Sequence, residues 1–443
     1  MTTVHPSPDV SLQGKDPGLR GSRGWLPWVA GAVFALGLAM AALRVGLGFV
    51  PGTGSLGADW VMTDFYSSMY YPVRAVLDGG NPHDASWLEQ YPGRDRYGPF
   101  LPVNLVIHLP FALLTPETAG QVYFAFSILM ALLLAALSLR LAGVTVTASL
   151  AVLVAGLVLL SRPGHWTLML GQHAILLACL SYVALLNARS APLLSGLALS
   201  LAAYKPNFGV PLALIMLVGG HVRAVTTGAA IGLAVNLPLY WILASRAGGF
   251  QRFFETMIGS YQKWQVRFNQ DPSTNYGLVD VDGLISRFMG QSLDSGTRIL
   301  LAIGILIVAG LVIRRLDWDR QTGRDLAVAI ACTALLLSTH HLGYDMVILT
   351  APVVALVARG LPPGAPSGLR WGFLALYVIP ALNWAATRGV LHNWHGSRAA
   401  WVAITSINGL CLAALLLGYA WLALAHARRP RPTTSASLST HPV

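Results

Sequence analysis

Long apolar runs separated by short polar punctuation make up most of this chain. Runs holding at most two charged residues cover roughly 25–50, 117–141, 144–161, 171–188, 191–204, 206–220, 222–244, 297–313, 325–339, 343–359, 370–386 and 398–426. Their length and lack of strand-like alternation predict about twelve transmembrane helices, each meant for a hydrocarbon layer about 30 Å thick. The runs near 191–220 are short, so a re-entrant pair is an alternative there. The fold class expected is an all-α polytopic membrane protein.

Two longer polar stretches, about 51–116 and 245–296, interrupt the pattern. The first contains "DFYSSMYYPVRAVLDGGNPHD", Asp64 to Asp84, the most chemically varied segment of the chain. Pro72 is acceptable in the first turn of a helix, and "GGNP" stops one. One or two short helices lying on the membrane surface are expected, with Tyr66, Tyr70 and Tyr71 at headgroup level.

Composition supports this picture. The chain is 55% hydrophobic and 11% charged, with a mean hydropathy of +0.59, whereas a soluble domain carries about 25% charged residues. The net charge of +11 does not indicate nucleic acid, because the basic residues stand singly between apolar runs and form no basic face. Cys179, Cys332 and Cys411 lie inside apolar runs without paired spacing, as core packing residues do. Residues 1–24 and 427–443, rich in Pro, Gly, Ser or Thr, read as flexible tails around one membrane domain, 25–426. The first apolar run is too long for the core of a typical signal peptide and reads as a retained span.

Excess Arg and Lys mark cytoplasmic loops. Alternating the spans from a cytoplasmic N-terminus puts Arg140, Arg189, Arg223, Arg314, Arg315, Arg320, Arg324, Arg359, Arg370, Arg428, Arg429 and Arg431 inside. Only Arg162, Lys205, Arg388 and Arg398 fall in the short loops opposite. Both termini are then cytoplasmic, and both long loops lie outside.

The same alternation carries most of the chemically capable residues to the outer face. They are Asp59 and Asp64; Arg162, His165, Gln172 and His173; Lys205 and Asn207; His340, His341 and Asp345; Arg388, His392 and His395. One His or Arg at a span end is ordinarily an interfacial anchor, and Arg44 reads as a snorkelling residue. Widely separated segments delivering such groups to one face point instead to a site. A carboxylate held near the acyl boundary also suits a general base, because desolvation raises its pKa. Other motifs are weak. "GTGSLG" (Gly52 to Gly57) follows an apolar run rather than a strand, so it is a turn and not a dinucleotide loop. "DVD" (Asp280 to Asp282) has the look of a metal-holding pair, yet no βαβ pattern surrounds it.

The segment from Asp64, with "YGPFLPVNLVIHLPFALLTPETAGQVYF", "GQHAILLACLSYVALL", "GLALSLAAYKPNFGVPLALIML" and "HHLGYDMVIL", resembles family-87 glycosyltransferases of the GT-C superfamily, in the same order over about residues 25–420. The resemblance implies a catalytic outer face, a polyprenyl-phosphate sugar donor, a lipid or glycan acceptor and no cofactor, with membrane lipids as further partners. Mannose is the sugar first implied, arabinose the second. The family's base falls on Asp64, and its late histidine falls on His341 or His340. This chain has "NPHD" at His83 where "NPYD" is commoner. Candidates to hold the donor's phosphate or sugar are Lys205, Arg74, Arg388, His341, His340, Gln172, His173 and Tyr71; no metal is required. The chief alternative is a transporter or flippase of lipid-linked sugars. That would want charges at mid-span and repeated halves, which the chain lacks.

Overall fold

The computed structural model describes residues 24–49, 61–84, 86–91, 97–267, 271–391 and 394–427. The two tails, the Gly52–Gly57 turn, Asp59 and His392 lie outside the described residues. Those described form helices and their connections. The one β-like element among them is an isolated antiparallel bridge between Leu278 and Leu342.

Every expected span contains helix, but length and apolarity single out fewer. Five helices suffice alone: Leu26–Gly46, Pro116–Leu141, Val222–Arg246, Ser295–Arg314 and Arg398–Ala427. A sixth arises if Ala148–Leu160 and Arg162–Leu170, bent by 74° at Ser161, count as one. Ala174–Asn187, Pro192–Ala202, Pro206–Val218 and Ser367–Leu382 are apolar but shorter. A helix of about 13 residues is only about 20 Å long, short of the hydrocarbon thickness. The chain is thus a multi-pass helical membrane protein with long and short helices mixed. Its exterior is apolar, with Leu36, Leu43, Leu129, Leu193, Leu300 and Leu417 exposed, as a lipid-facing surface requires.

The core is centred on the helix Gln321–Ser338, whose residues from Leu326 to Leu337 are buried throughout. It packs against Ser295–Arg314, Thr350–Arg359 and Arg398–Ala427. Burial at every position, with Thr333 alone polar and its hydroxyl donating to the Ala329 carbonyl, marks a helix surrounded on all sides.

The elbow at Ser161 has a local cause. Ser161 caps the second arm, its Oγ accepting from Gly164 N–H at 3.2 Å, and Pro163 fits the first helical turn. A Cβ on Gly164 would lie 1.9 Å from the Val158 carbonyl oxygen, so the two arms meet this closely only because residue 164 has no side chain.

The first long loop is more deeply packed than expected. Thr63–Phe65, a π-helical turn Tyr66–Tyr70 and Tyr71–Leu77 run on from one another, with Pro72 in the last helix's first turn. The tyrosines are drawn inward rather than left at a surface. Tyr70 and Tyr71 are buried, and the Tyr66 and Tyr70 hydroxyls donate to the carbonyls of Pro116 and Leu114 at 3.0 and 2.7 Å. Phe65 stacks on Tyr123 with centroids 4.3 Å apart. Such an aromatic cluster contributes more by burial than rings left half in water.

His83, the departure from "NPYD", is part of that packing. It is buried edge-on to Tyr97 and Phe253, at 5.0 and 5.5 Å, and joins the first long loop to the helix Phe250–Arg267. Burial pushes its imidazole down to about 4. A base depressed on folding contributes stability above its ordinary value of about 6.5, and that contribution is lost as the pH falls towards 4. The thermal midpoint should therefore drop between pH 6.5 and 4, and His83→Phe should flatten part of that drop. An unchanged pH profile in the variant would exclude His83 as a contributor.

Asp280, of the "DVD" pair, is the N-cap of Val281–Met289. Its Oδ1 accepts from Gly283 N–H at 2.7 Å and its Oδ2 from His341 N–H at 3.2 Å. Asp282 pairs with Arg298 at 3.7 Å. The two carboxylates serve helix capping and loop attachment.

Candidate active site

Four turns of chain bring the site together, the last of them the 3-10 turn Gly343–Leu349. The first is the start of the Thr63–Phe65 helix, placed by Met62, whose N–H donates to the Met169 carbonyl at 2.8 Å. Met62 has φ 54°, the left-handed region, in which a methionine needs such tertiary support. Asp64 follows two residues later, half-buried. The second turn ends the elbow's second arm at Gly171, with φ 67°. It delivers Gln172, whose Nε2 donates to Asp64 Oδ2 at 2.5 Å and to the Tyr344 hydroxyl at 3.2 Å. The third is the break between Pro192–Ala202 and Pro206–Val218, which holds Lys205.

Gly171 has to be glycine on two counts. Its backbone is left-handed, and a Cβ there would lie 2.7 Å from Phe65 Cβ. Gly171→Ala should therefore push Phe65, and Asp64 with it, away from Gln172. Any activity of the site is expected to fall at least tenfold, on a cost of about 1–2 kcal/mol for the strained backbone plus the displacement. A variant with wild-type activity and midpoint would show that the contact relaxes without effect.

Lys205 Nζ meets Asp345 Oδ1 at 3.1 Å, and Asp345 Oδ2 faces His341 Nδ1 at 2.9 Å. His341 Nε2 lies 3.0 Å from the Asn207 carbonyl oxygen. Asp345 and His341 are 1% and 0% exposed, so this is a desolvated network with two basic side chains on one carboxylate. Lys205 also stands over the Tyr344 and Phe208 rings, 5.2 Å from each centroid. Tyr344 is therefore the hinge between two groups, with Asp64 and Gln172 on one side and Lys205, Asp345 and His341 on the other. A spacing of four would put His341 and Asp345 on one helical face if the helix were continuous. The chain is instead extended at Thr339 and Leu342 and then turns into a 3-10 helix, Gly343–Leu349. The contact forms because that tight turn brings Asp345 back towards His341.

His173 is buried beside Phe100, His108 and Tyr204, with ring centroids 5.3, 6.4 and 5.1 Å away. Its two ring nitrogens, His108 Nε2, the Tyr204 hydroxyl and the Gln172 amide oxygen find no protein partner. Such buried groups are ordinarily satisfied by water or ligand.

Of the expected site residues, Asp64, Gln172, His173, Lys205 and His341 thus converge. His340 lies at their edge, exposed but within electrostatic reach of His341, Lys205 and Asp345, and its main-chain carbonyl accepts from Asn207 Nδ2 at 2.5 Å. Arg74 reaches the Ala112 carbonyl at 3.4 Å, and Tyr71 stacks on Tyr91 at 5.7 Å, so both brace the first long loop. Arg388 lies in the short helix Arg388–Leu391, and its side chain is outside the described residues. Sequence reasoning missed Tyr344, His108 and Tyr204. Each sits in or beside an apolar run, where an aromatic reads as packing.

Charged groups gathered where the helices of a multi-pass membrane protein end mark a functional site. The model of Glycosyltransferase family 87 matches residues 97–339, more than half of the chain. The chain belongs to that family, which is of the GT-C type, and is a membrane glycosyltransferase. The match takes in Gln172, His173 and Lys205, begins after Asp64 and ends just before His340. No curated protein matches the chain.

Proposed function

We propose that the chain transfers a hexose, mannose first, from a polyprenyl-phosphate donor to a lipid or glycan acceptor at the outer membrane face. Both termini are then cytoplasmic, and the shorter apolar helices complete about twelve membrane passages around the site. The observation that carries the reading is the meeting of Asp64, Gln172, Tyr344, Lys205 and Asp345 from four separate segments in one apolar chain.

In this scheme Asp64 takes the proton from the acceptor hydroxyl as its oxygen attacks the anomeric carbon. The bond from that carbon to the phosphate oxygen breaks, its electron pair leaves with the lipid phosphate, and the anomeric configuration inverts. Gln172 holds Asp64 in place, and its unpartnered amide oxygen suits a sugar hydroxyl. The lipid phosphate is already a good leaving group, so charge stabilisation rather than a proton is what it needs. Lys205 supplies that charge. His341 has both ring nitrogens turned to protein acceptors, so it acts through Asp345 on Lys205 rather than on substrate.

The test is transfer of radiolabelled sugar from synthetic polyprenyl-phosphate mannose in membranes with and without the protein. Transfer supports the reading. Transfer only from the arabinose analogue would change the sugar, and transfer only from a nucleotide sugar would sink the lipid donor.

A further inference from the structure

One charged group lies outside the scheme above and is poorly served by the protein. Arg162, at the corner of the elbow, is 2% exposed. Its Nη2 donates to the Ala386 carbonyl, but Nε and Nη1 have no partner. Its guanidinium lies over the Trp166 ring at 4.7 Å, one turn along the same helix. Nη1 rests against Gly343, close enough that a Cβ there would be 3.0 Å away. Among the described residues no ion pair engages it. A buried guanidinium without a counter-charge costs several kcal/mol, and each unmade hydrogen bond adds to that. The fold therefore keeps at Arg162 a charge that another molecule is needed to balance.

The surroundings fix what kind of molecule. His165 has a buried Nδ1 without a partner and lies edge-on to Trp384 at 5.4 Å. Arg44, on the first helix, stands close enough to His165 for their charges to oppose each other. The corner thus gathers two arginines and a histidine, with no carboxylate paired to either arginine among the described residues. Leu36 and Leu43 are exposed on the helix that carries Arg44, so the corner borders lipid. Inward, Trp166 meets Tyr344 edge-on at 5.4 Å, and Tyr344 is the residue that Gln172 ties to Asp64. A cationic corner that borders an apolar exposed helix on one side and leads through Trp166 and Tyr344 to the reacting groups on the other fits a phosphate carried on a hydrocarbon chain.

We propose that Arg162, supported by His165 and Arg44, seats the phosphate of the lipid-linked donor, with the hydrocarbon chain leaving along the first helix. The proposal rests on the lipid-donor reading above and names the group that meets the leaving phosphate. Lys205 then neutralises the same phosphate from the Tyr344 side, so two cations from different segments share it.

The test uses the full chain in nanodiscs and a radiolabelled polyprenyl phosphate bearing no sugar, so that binding is read without transfer. Wild type should bind it, Arg162→Gln should bind at least about tenfold more weakly, and Arg162→Lys should recover part of the loss. Thermal midpoints are measured alongside. If Arg162→Gln does not fold, Arg44→Gln on the exposed helix decides, with a loss of severalfold expected and none overturning the site. Equal binding by folded Arg162→Gln and wild type would overturn the site while leaving the donor reading to its own transfer assay. Displacement of the probe by an equal amount of phosphatidylglycerol would overturn the donor assignment and make the corner a seat for bulk lipid headgroups. A wild type that binds no polyprenyl phosphate overturns the proposal, and transfer from the sugar-bearing lipid would then still uphold the donor reading alone.

Discussion

Asp64→Asn should lower sugar transfer by about a hundred- to ten-thousand-fold while leaving the protein folded, the loss ordinarily seen when a general base is removed. The substitution keeps the shape of the side chain and its place beside Gln172, whose Nε2 lies 2.5 Å from Asp64 Oδ2. What it removes is the ability to accept the acceptor hydroxyl's proton. The fall should appear in kcat rather than KM, because the proton moves only in the transition state. A variant that transfers at the wild-type rate would take the base role away from Asp64. A fall in KM-limited rate alone would make it a binding group.

The second large effect belongs to Lys205 and Asp345. Lys205→Met leaves Asp345, 1% exposed, with only His341 to balance it. Breaking a buried pair from one side costs about 3–5 kcal/mol. The single variant should therefore lose both stability and transfer. Lys205→Met combined with Asp345→Asn removes both charges and should regain most of the thermal midpoint. If Lys205 meets the donor phosphate, the double variant stays inactive although folded. Recovery of transfer together with stability would make the pair a structural brace and nothing more.

The polar groups of the site were legible for a simple reason. In a chain this apolar, an Asp, Lys or His at a span end costs free energy and stands out, and so Asp64, Gln172, Lys205 and His341 could be named from spacing and topology. Arg74 and Tyr71 came from the resemblance instead, and sequence does not distinguish a side chain that braces a loop from one that faces a substrate. Arg74 reaches a main-chain carbonyl and Tyr71 another ring, contacts that only the folded loop reveals. Tyr344 escaped because its hydroxyl matters through Gln172, more than 170 positions away in sequence. "DVD" looked like metal chemistry because a helix cap and a metal pair use the same residue type, and only the Gly283 and His341 N–H groups tell them apart. Span number was the least legible feature of the fold. Apolar composition is alike in a helix long enough to cross the bilayer by itself and in one of 11 to 13 residues that is not.

The bridge between Leu278 and Leu342 joins parts with different duties. Val279 N–H donates to the His341 carbonyl at 2.9 Å and Gly343 N–H to the Gly277 carbonyl at 3.0 Å. The second long loop and the segment holding His341 are thus stitched main chain to main chain. That loop is not a flap free to lift by itself. Any displacement of it pulls on His341, hence on Asp345 and the Lys205 ammonium, so that arrival of a molecule at the loop is felt mechanically at the charge.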